Sequence, residues 1–214
     1  STVQSRSIGR FGSSTTYYTN GSIDEVRIYN RALTASEIAG LYNGTKTFHL
    51  TFSSMPTSGI SNETPAPTAT DETGLVGYWK MDANALDSSG QGNNGATTGV
   101  TNITGRWNGA YDFDGGDDYV LLNSYVPNIN QSNFTVTYWA YFRDYKNSIP
   151  IAQTDTGGIS IMRYQNKTQL GKYGFGQNLI GNTFLPINTW VFIGLTFTYG
   201  TNSSTAYYNG AVDG

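Results

Sequence analysis

The chain has 214 residues, no cysteine, and 12 Lys and Arg against 15 Asp and Glu, so disulfide scaffolds are excluded and the net charge is −3. Without a cluster of basic residues, nucleic acid and anionic membrane surfaces are poor partners. The longest apolar run, residues 190–197, is far shorter than the roughly 20 residues of a membrane-spanning helix, so we expect no membrane insertion.

The first 44 residues predict one strand and one helix. Apolar and polar residues alternate through residues 23–29, which is typical of a β-strand. Thr34 and Glu37 have the spacing of a capping box, in which each side chain bonds the backbone amide of the other residue. The residue pair Asn43 and Gly44 ends this pattern, so we expect a helix of about ten residues.

Residues 45–73 differ in composition from the rest of the chain. Residues 47–52 alternate and predict an additional edge strand, whereas residues 53–73 contain three prolines among Ser and Thr and predict an extended linker. His49, the single histidine, has no second His or Cys with which to bind a metal.

From residue 74 onward the pattern is that of strands separated by turns. Residues 134–139, 190–197 and 205–208 are rich in β-branched and aromatic residues, and Asn209 with Gly210 is a strong hairpin signal. The sequence therefore predicts an all-β fold, a jelly-roll β-sandwich of two antiparallel sheets with one short helix.

Two blocks resemble the laminin-G-like, concanavalin A-like jelly-roll superfamily of surface proteins and carbohydrate-active enzymes. Residues 74–120, with GLVGYWKMD, DSSGQGNNG and AYDFDGGDDYV, are similar to the opening strands of that family. Residues 21–34, GSIDEVRIYNRALT, are similar to its closing strand and the short helix after it. The resemblance covers residues 1–44 and 74–214 and implies the same fold.

The blocks stand in reversed order, because the closing block comes first. Residues 1–44 then supply the last strands and the helix of a jelly roll. Residues 45–73 supply an edge strand and a linker, and residues 74–214 supply the first and central strands. Three explanations are open: a repeat unit cut from a tandem array, a subunit that completes its neighbour, or a circular permutant. We expect residues 1–44 to complete a neighbouring copy of the chain, through pairing that involves Ile23, Val26, Ile28, Tyr29, Leu75, Tyr78 and Trp79.

The sequence lacks the residue pairs expected of a glycosidase but contains a group of aspartates that could bind a metal ion. The paired Glu residues of glycosidases on this architecture are absent, so we expect no enzymatic activity. Asp114, Asp117 and Asp118 surround a Gly-Gly turn and are suitable ligands for Ca²⁺. The resemblance adds Asp24 and implies a structural calcium in some relatives; the alternative is that these aspartates only stabilise the turn.

Eight Asn-x-Ser/Thr sequons predict a secreted or cell-surface glycoprotein. Exposed tyrosines near Asn or Gly are candidates for stacking on sugars, as is Trp107. Our first hypothesis is a non-catalytic extracellular structural protein, a jelly-roll unit of a fibre, stalk or sheath held together by shared strands; the alternative is a lectin-like adhesion module that binds glycans. The sequons are at Asn20, Asn43, Asn62, Asn102, Asn130, Asn133, Asn166 and Asn202, and the tyrosines are Tyr17, Tyr18, Tyr125, Tyr164 and Tyr173.

Overall fold

A computed structural model of the chain describes residues 6–11, 17–44, 72–122, 132–153, 159–172 and 178–214. The predicted edge strand at residues 47–52, with His49, and residues 53–71 of the linker lie outside these ranges. No helix in the described part of the chain has the length and apolarity needed to cross a membrane. The described elements are β1 (Arg6–Ile8), β2 (Asn20–Tyr29), α1 (Ala35–Tyr42), β3 (Leu75–Trp79), β4 (Gly95–Thr98), β5 (Thr101–Thr104), β6 (Gly109–Asp114), β7 (Tyr119–Leu122), β8 (Phe134–Phe142), β9 (Ser148–Gln153), β10 (Ile159–Tyr164), β11 (Lys167–Lys172), β12 (Asn178–Ile180), β13 (Trp190–Thr198), β14 (Ser203–Tyr208) and β15 (Ala211–Val212).

The strands form two antiparallel sheets that pack face to face, which confirms the predicted β-sandwich. One sheet has seven strands in the order β12-β11-β10-β9-β1-β7-β4. The other has eight, in the order β15-β14-β13-β8-β2-β6-β5, with β3 also paired to β2. Asn209 and Gly210 both have positive φ between β14 and β15, so the predicted hairpin is present.

Strand β2 is the centre of the eight-stranded sheet. One of its edges pairs with β8 along its length, while the other pairs first with β6 and then with β3. A β-bulge between Asp24 and Arg27 separates these two halves, and Glu25 adopts a φ of 55° there. Residues 26–29 pair with β3, whereas Ile23 pairs with Tyr111 of β6 because the bulge lies between Ile23 and β3.

The pairing of β2 with its neighbours is made within one chain. Val26 lies opposite Trp79, and Tyr29 lies opposite Leu75. This intramolecular pairing is the one expected of a circular permutant, and completion of a neighbouring copy by residues 1–44 stays a prediction. A neighbouring copy is not required to complete the sandwich, although an exchange of β2 between copies would keep the same register.

Apolar residues occupy two layers. The main core lies between the sheets, where Trp79, Phe113 and Phe134 are fully buried. A second cluster lies on the outer face of the eight-stranded sheet, where Ile38 of α1 packs near Trp139. At about 25 cal/mol per Å² of buried apolar surface, the large aromatic side chains dominate this stabilisation.

Helix α1 covers the outer cluster and has the predicted capping box. The amide of Glu37 donates to Thr34 Oγ1 at 3.3 Å, and the Glu37 carboxylate accepts from the amide of Thr34 at 2.7 Å. Arg31 donates to the other Glu37 oxygen at 2.6 Å, and this bond is the main cause that lowers the pKa of Glu37 to about 2. These contacts fix the start of the helix over the sheet.

Candidate functional site

A polar cleft of about 200 Å³ opens at one end of the sandwich. Three segments that are distant in sequence form it: residues 17–20 before and at the start of β2, residues 114–116 at the end of β6 and just after it, and residues 144–147 after β8. We call it the Tyr17 cleft. Its lining residues are Tyr17, Tyr18, Asn20, Asp114, Gly115, Gly116, Asp144, Lys146 and Asn147.

Asn20 holds the three segments together. It is the first residue of β2 and lies opposite Asp114 in the ladder. Its side-chain amide donates to Asp144 Oδ2 at 2.8 Å, and its carbonyl accepts from the amide of Arg143 at 3.1 Å. A Cβ at Gly115, where φ is +81°, would lie 2.8 Å from Asn20 Cβ, so only glycine allows this approach.

Tyr17 is the exposed aromatic residue of the cleft. Half of its surface, 51%, is open to solvent, and its φ is 73°. A bulky residue with positive φ is strained by about 1 kcal/mol or more, and such strain is concentrated at ligand sites. Its carbonyl accepts from the amide of Ile149 at 3.3 Å, which holds the backbone in place while the ring stays exposed.

The hydrogen-bonding groups of the cleft are engaged to different degrees. Both oxygens of Asp144 accept hydrogen bonds, from the Asn20 side chain and from the amide of Lys146 at 3.0 Å. The Lys146 ammonium is almost fully exposed and lies 4.0 Å from Asp144. Asp114 keeps one oxygen without a described protein partner, because only its Oδ1 accepts, from Gly116. The cleft thus offers a ligand the exposed ammonium group of Lys146, a carboxylate oxygen of Asp114 that no described residue bonds, and aromatic groups.

The predicted calcium ligands at the Gly-Gly turn do lie together. One carboxylate oxygen from each of Asp114, Asp117 and Asp118 lies within 4.8 Å of the others. Oxygens bound to one Ca²⁺ at 2.3–2.6 Å are at most about 5 Å apart, so these residues fit the ion. Burial raises the pKa of the Asp118 carboxyl, and the charges of Asp114 and Asp117 raise it further.

The same turn also shows the hydrogen bonds expected without a metal. The amide of Asp114 donates to Asp118 Oδ2 at 2.8 Å, and the amide of Gly116 donates to Asp114 Oδ1 at 2.6 Å. Each of these carboxylates retains one further oxygen. The turn is therefore stabilised by the aspartates and still has ligands for a cation.

Asp24 does not join this group. It lies four residues along β2 from Asn20, about 13 Å away at the rise of a strand. Its carboxylate is fully buried and accepts from the amide of Trp107 at 3.0 Å, while its Oδ1 has no partner among the described residues. Burial raises its pKa to about 8, and the charge of Glu25 adds to the effect.

The bulge residue Glu25 belongs to a closed network beside Asp24. Its Oε2 accepts from the Tyr78 hydroxyl and from Arg27, both at 2.5 Å. The Arg27 guanidinium also lies 4.0 Å from the centre of the Tyr78 ring. These three side chains satisfy one another, so the network is structural and offers little to a ligand.

The comparison with protein families gives one match. Residues 2–39 match the model of the concanavalin A-like lectin/glucanases superfamily. This match includes the block at residues 21–34 and confirms the resemblance there, and the two-sheet sandwich confirms the fold. No curated protein and no solved structure matches the chain.

The aromatic residues proposed for sugar stacking have separate environments. Tyr17 and Tyr18 line the cleft, whereas Tyr164 is exposed at the end of β10 outside it. Trp107 is half-buried: Gly44 packs against one part of its ring, and the Arg106 guanidinium lies 4.5 Å from the ring centre. Trp107 is therefore poorly placed for a sugar. Two further candidates, Tyr125 and Tyr173, lie outside the described residues.

The sequons differ in accessibility. Asn43, Asn102 and Asn133 are exposed, while Asn20, Asn166 and Asn202 are partly buried. The side-chain nitrogen of Asn20, to which a glycan would attach, donates to Asp144 inside the cleft. Asn62 and Asn130 lie outside the described residues.

Three residues of the cleft were missed by sequence reasoning: Asp144, Lys146 and Asn147. The polar run between β8 and β9 was visible in the sequence, since two apolar strands flank it. What was not visible is that this loop would lie beside residues 17–20, because that proximity depends on the pairing of β2 with β8.

Proposed function

We propose that this chain is a non-catalytic carbohydrate-binding module and that the Tyr17 cleft is its glycan site. The observation that carries the proposal is the combination of an exposed, strained Tyr17 with polar groups that remain available around it. Sugars are bound by stacking on aromatic faces and by hydrogen bonds to their hydroxyls. The partial match to a lectin and glucanase superfamily supports the same class.

The size of the cleft points to a short ligand segment. About 200 Å³ is below the roughly 300–1,000 Å³ typical of small-molecule pockets, which suits one terminal sugar unit with the rest of the glycan in solvent. The Tyr17 ring would stack on the sugar face, and Lys146 with the free oxygen of Asp114 would bond hydroxyl groups. Asp144 would act by holding Asn20 in place.

The chemistry of the cleft favours binding without turnover. A glycosidase needs two carboxyl groups, one that transfers a proton and one that acts as a base or nucleophile. In the cleft, both oxygens of Asp144 already accept hydrogen bonds, so only Asp114 has a free oxygen. Asp24 is fully buried and Glu25 is engaged by Tyr78 and Arg27. We expect no release of reducing sugar from any glycan that binds.

We also propose a secreted or cell-surface location and a structural calcium. The exposed sequons at Asn43, Asn102 and Asn133 support the first. The spacing of the three carboxylates at the Gly-Gly turn supports the second. A bound Ca²⁺ would neutralise their mutual repulsion and stiffen the turn that carries Asp114 into the cleft.

The fibre hypothesis remains a prediction. It depended on sharing of β2 between copies, and the described sandwich is complete within one chain. Sedimentation analysis of the native chain distinguishes the two cases. Copies that exchange β2 would sediment as dimers or larger assemblies, whereas a chain that keeps its own β2 would sediment as a monomer of 23.3 kDa.

A glycan array with the wild-type chain, followed by calorimetric titration of the best binder, tests the proposed function. We expect Tyr17→Ala to weaken binding roughly tenfold, the effect of losing about 1.4 kcal/mol of stacking and burial. Tyr199→Ala is the matched control, because Tyr199 is similarly exposed at 45% and lies outside the cleft. Binding that is absent from the array, or equal in both variants, would refute the proposal.

A further inference from the structure

Arg163 is a buried cation next to the Tyr17 cleft. It lies on β10 of the seven-stranded sheet, and only 1% of it is exposed. Its guanidinium lies 4.8 Å from the centre of the Phe142 ring and 5.2 Å from that of Tyr145. No carboxylate of the described residues forms an ion pair with it, which is unusual for a buried charge.

The partners of Arg163 are backbone carbonyls. One terminal nitrogen donates to the carbonyls of Asp144 and, at 3.4 Å, of Lys146. The other donates to the carbonyl of Leu185 at 3.2 Å. Hydrogen bonds from a charged donor are stronger than neutral ones, and an uncompensated loss of such a partner in a buried site is costly.

Two of these carbonyls belong to the loop that supplies one wall of the cleft. Residues 143–147 leave β8 in the eight-stranded sheet and enter β9 in the seven-stranded sheet. Asp144, Lys146 and Asn147 line the cleft from this loop. A loop that crosses between sheets has no ladder of its own, so it is held by individual bonds: those with Asn20 of β2 on one side and those from Arg163 on the other.

We propose that Arg163 is a positioning residue of the Tyr17 cleft, which fixes the 143–147 loop from inside the sandwich without contacting the ligand. The expected effect of Arg163 on glycan affinity rests on the proposed function. The expected effect of Arg163 on the 143–147 loop does not, and it can be measured without a ligand. The planar guanidinium suits the role because its donors point in fixed, divergent directions. Lysine has three donors on one nitrogen and cannot reach three carbonyls in this way.

The test compares Arg163→Lys, which keeps the charge, with Arg163→Met and the wild type. We expect faster hydrogen exchange at the amides of residues 144–147 in both variants, and a dissociation constant for the glycan raised about tenfold or more. Leu41→Ala is the control, since Leu41 is buried in α1 under the outer cluster, away from the cleft lining. It should lower the melting temperature without changing either readout.

The outcomes separate the two proposals. Unchanged exchange at residues 144–147 in folded Arg163→Lys and Arg163→Met would overturn the role of Arg163, whatever the binding result. An equal loss of affinity in Leu41→Ala would assign the effect to general destabilisation and overturn it as well. If exchange rises in the Arg163 variants but the wild type binds no glycan, the positioning role stands and the proposed function fails.

Discussion

Strand β2 carries two polar regions that differ in what their groups are bonded to. At its start, Asn20 joins the Tyr17 cleft, where an exposed ring and the exposed Lys146 face solvent. In its middle, the bulge residues Glu25 and Arg27 bond each other and Tyr78, and Asp24 is buried beside them. Along β2, the two regions are only four to seven residues apart.

This comparison shows that a concentration of polar residues does not identify a ligand site. At the bulge, burial raises the pKa of Asp24 to about 8 and also raises the pKa of Tyr78, yet the charged groups there are used to stabilise the chain. The cleft, by contrast, leaves hydrogen-bonding groups open to solvent. Perturbation of the bulge should therefore affect stability, and perturbation of the cleft should affect binding.

The largest loss of stability expected from a single substitution is that of Glu25→Ala. Removing one member of a buried ion pair costs about 3 kcal/mol, since Arg27 and Tyr78 lose their common acceptor. For a chain of this size that corresponds to a melting temperature lowered by roughly 10 °C. Thermal unfolding monitored by circular dichroism measures it.

Glu63→Ala provides a matched control, since it makes the same change in the predicted linker. It should leave the melting temperature nearly unchanged. Glycan affinity of the folded Glu25→Ala variant should equal that of the wild type; a variant that loses binding but not stability would reverse the assignment of the two regions.

The next effect is a pH dependence due to Asp24. Its pKa is raised from 3.8 to about 8 by burial, so the folded protein keeps a proton that the unfolded chain releases above about pH 4. Stability should then fall as the pH rises from about 4 to about 8, by up to roughly 1.4 kcal/mol per pH unit, and level off above. Denaturant titrations at several pH values, without divalent cations, test this.

Asp24→Asn should remove most of that slope, because the amide resembles the protonated acid. Asp82→Asn at an exposed neighbour should keep most of it, because the charge of Asp82 makes only a small contribution to the raised pKa of Asp24. A wild-type chain whose stability does not fall over this range would show that Asp24 is ionised in the folded state. A cation bound to its free oxygen would be one cause, and repetition with added Ca²⁺ would reveal it.

A smaller effect concerns calcium at the Gly-Gly turn. If the ion binds only the folded chain, excess chelator should lower the melting temperature by several degrees. Asp117→Asn should abolish this sensitivity, since Asp117 is exposed and has no described hydrogen bond of its own to lose. No change on chelation, together with no metal by elemental analysis, would leave the aspartates with only their turn-stabilising role.

The regular parts of the fold could be predicted because local patterns determine them. Strands β2 and β8 were predicted from the alternation of apolar and polar residues, and α1 was predicted from its capping box. The hairpin was predicted from Asn209 and Gly210. The bulge at Glu25 was missed, since positive φ at a glutamate has no signal in the sequence, and Ile23 was therefore paired with the wrong strand.

The site was predictable only in part. The three aspartates at the turn are close in sequence, so their proximity followed directly. The sequence-based prediction grouped Asp24 with these aspartates, but the structure buries Asp24 away from them. That burial could not be predicted, because it depends on strands that are far away in sequence. The Tyr17 cleft is formed by three segments that are distant in sequence and is supported by the buried Arg163. A local sequence pattern cannot predict it, because it depends on how distant strands pair.

The most direct test of the central claim is a nuclear magnetic resonance titration of the ¹⁵N-labelled chain with the best glycan from the array. We predict that the largest amide shifts occur at Gly115, Gly116, Lys146 and Asn147, and that the amide of Trp107, which bonds the buried Asp24, stays in place. Shifts centred on Trp107 or on the bulge, with the cleft unchanged, would contradict the assignment of the glycan site.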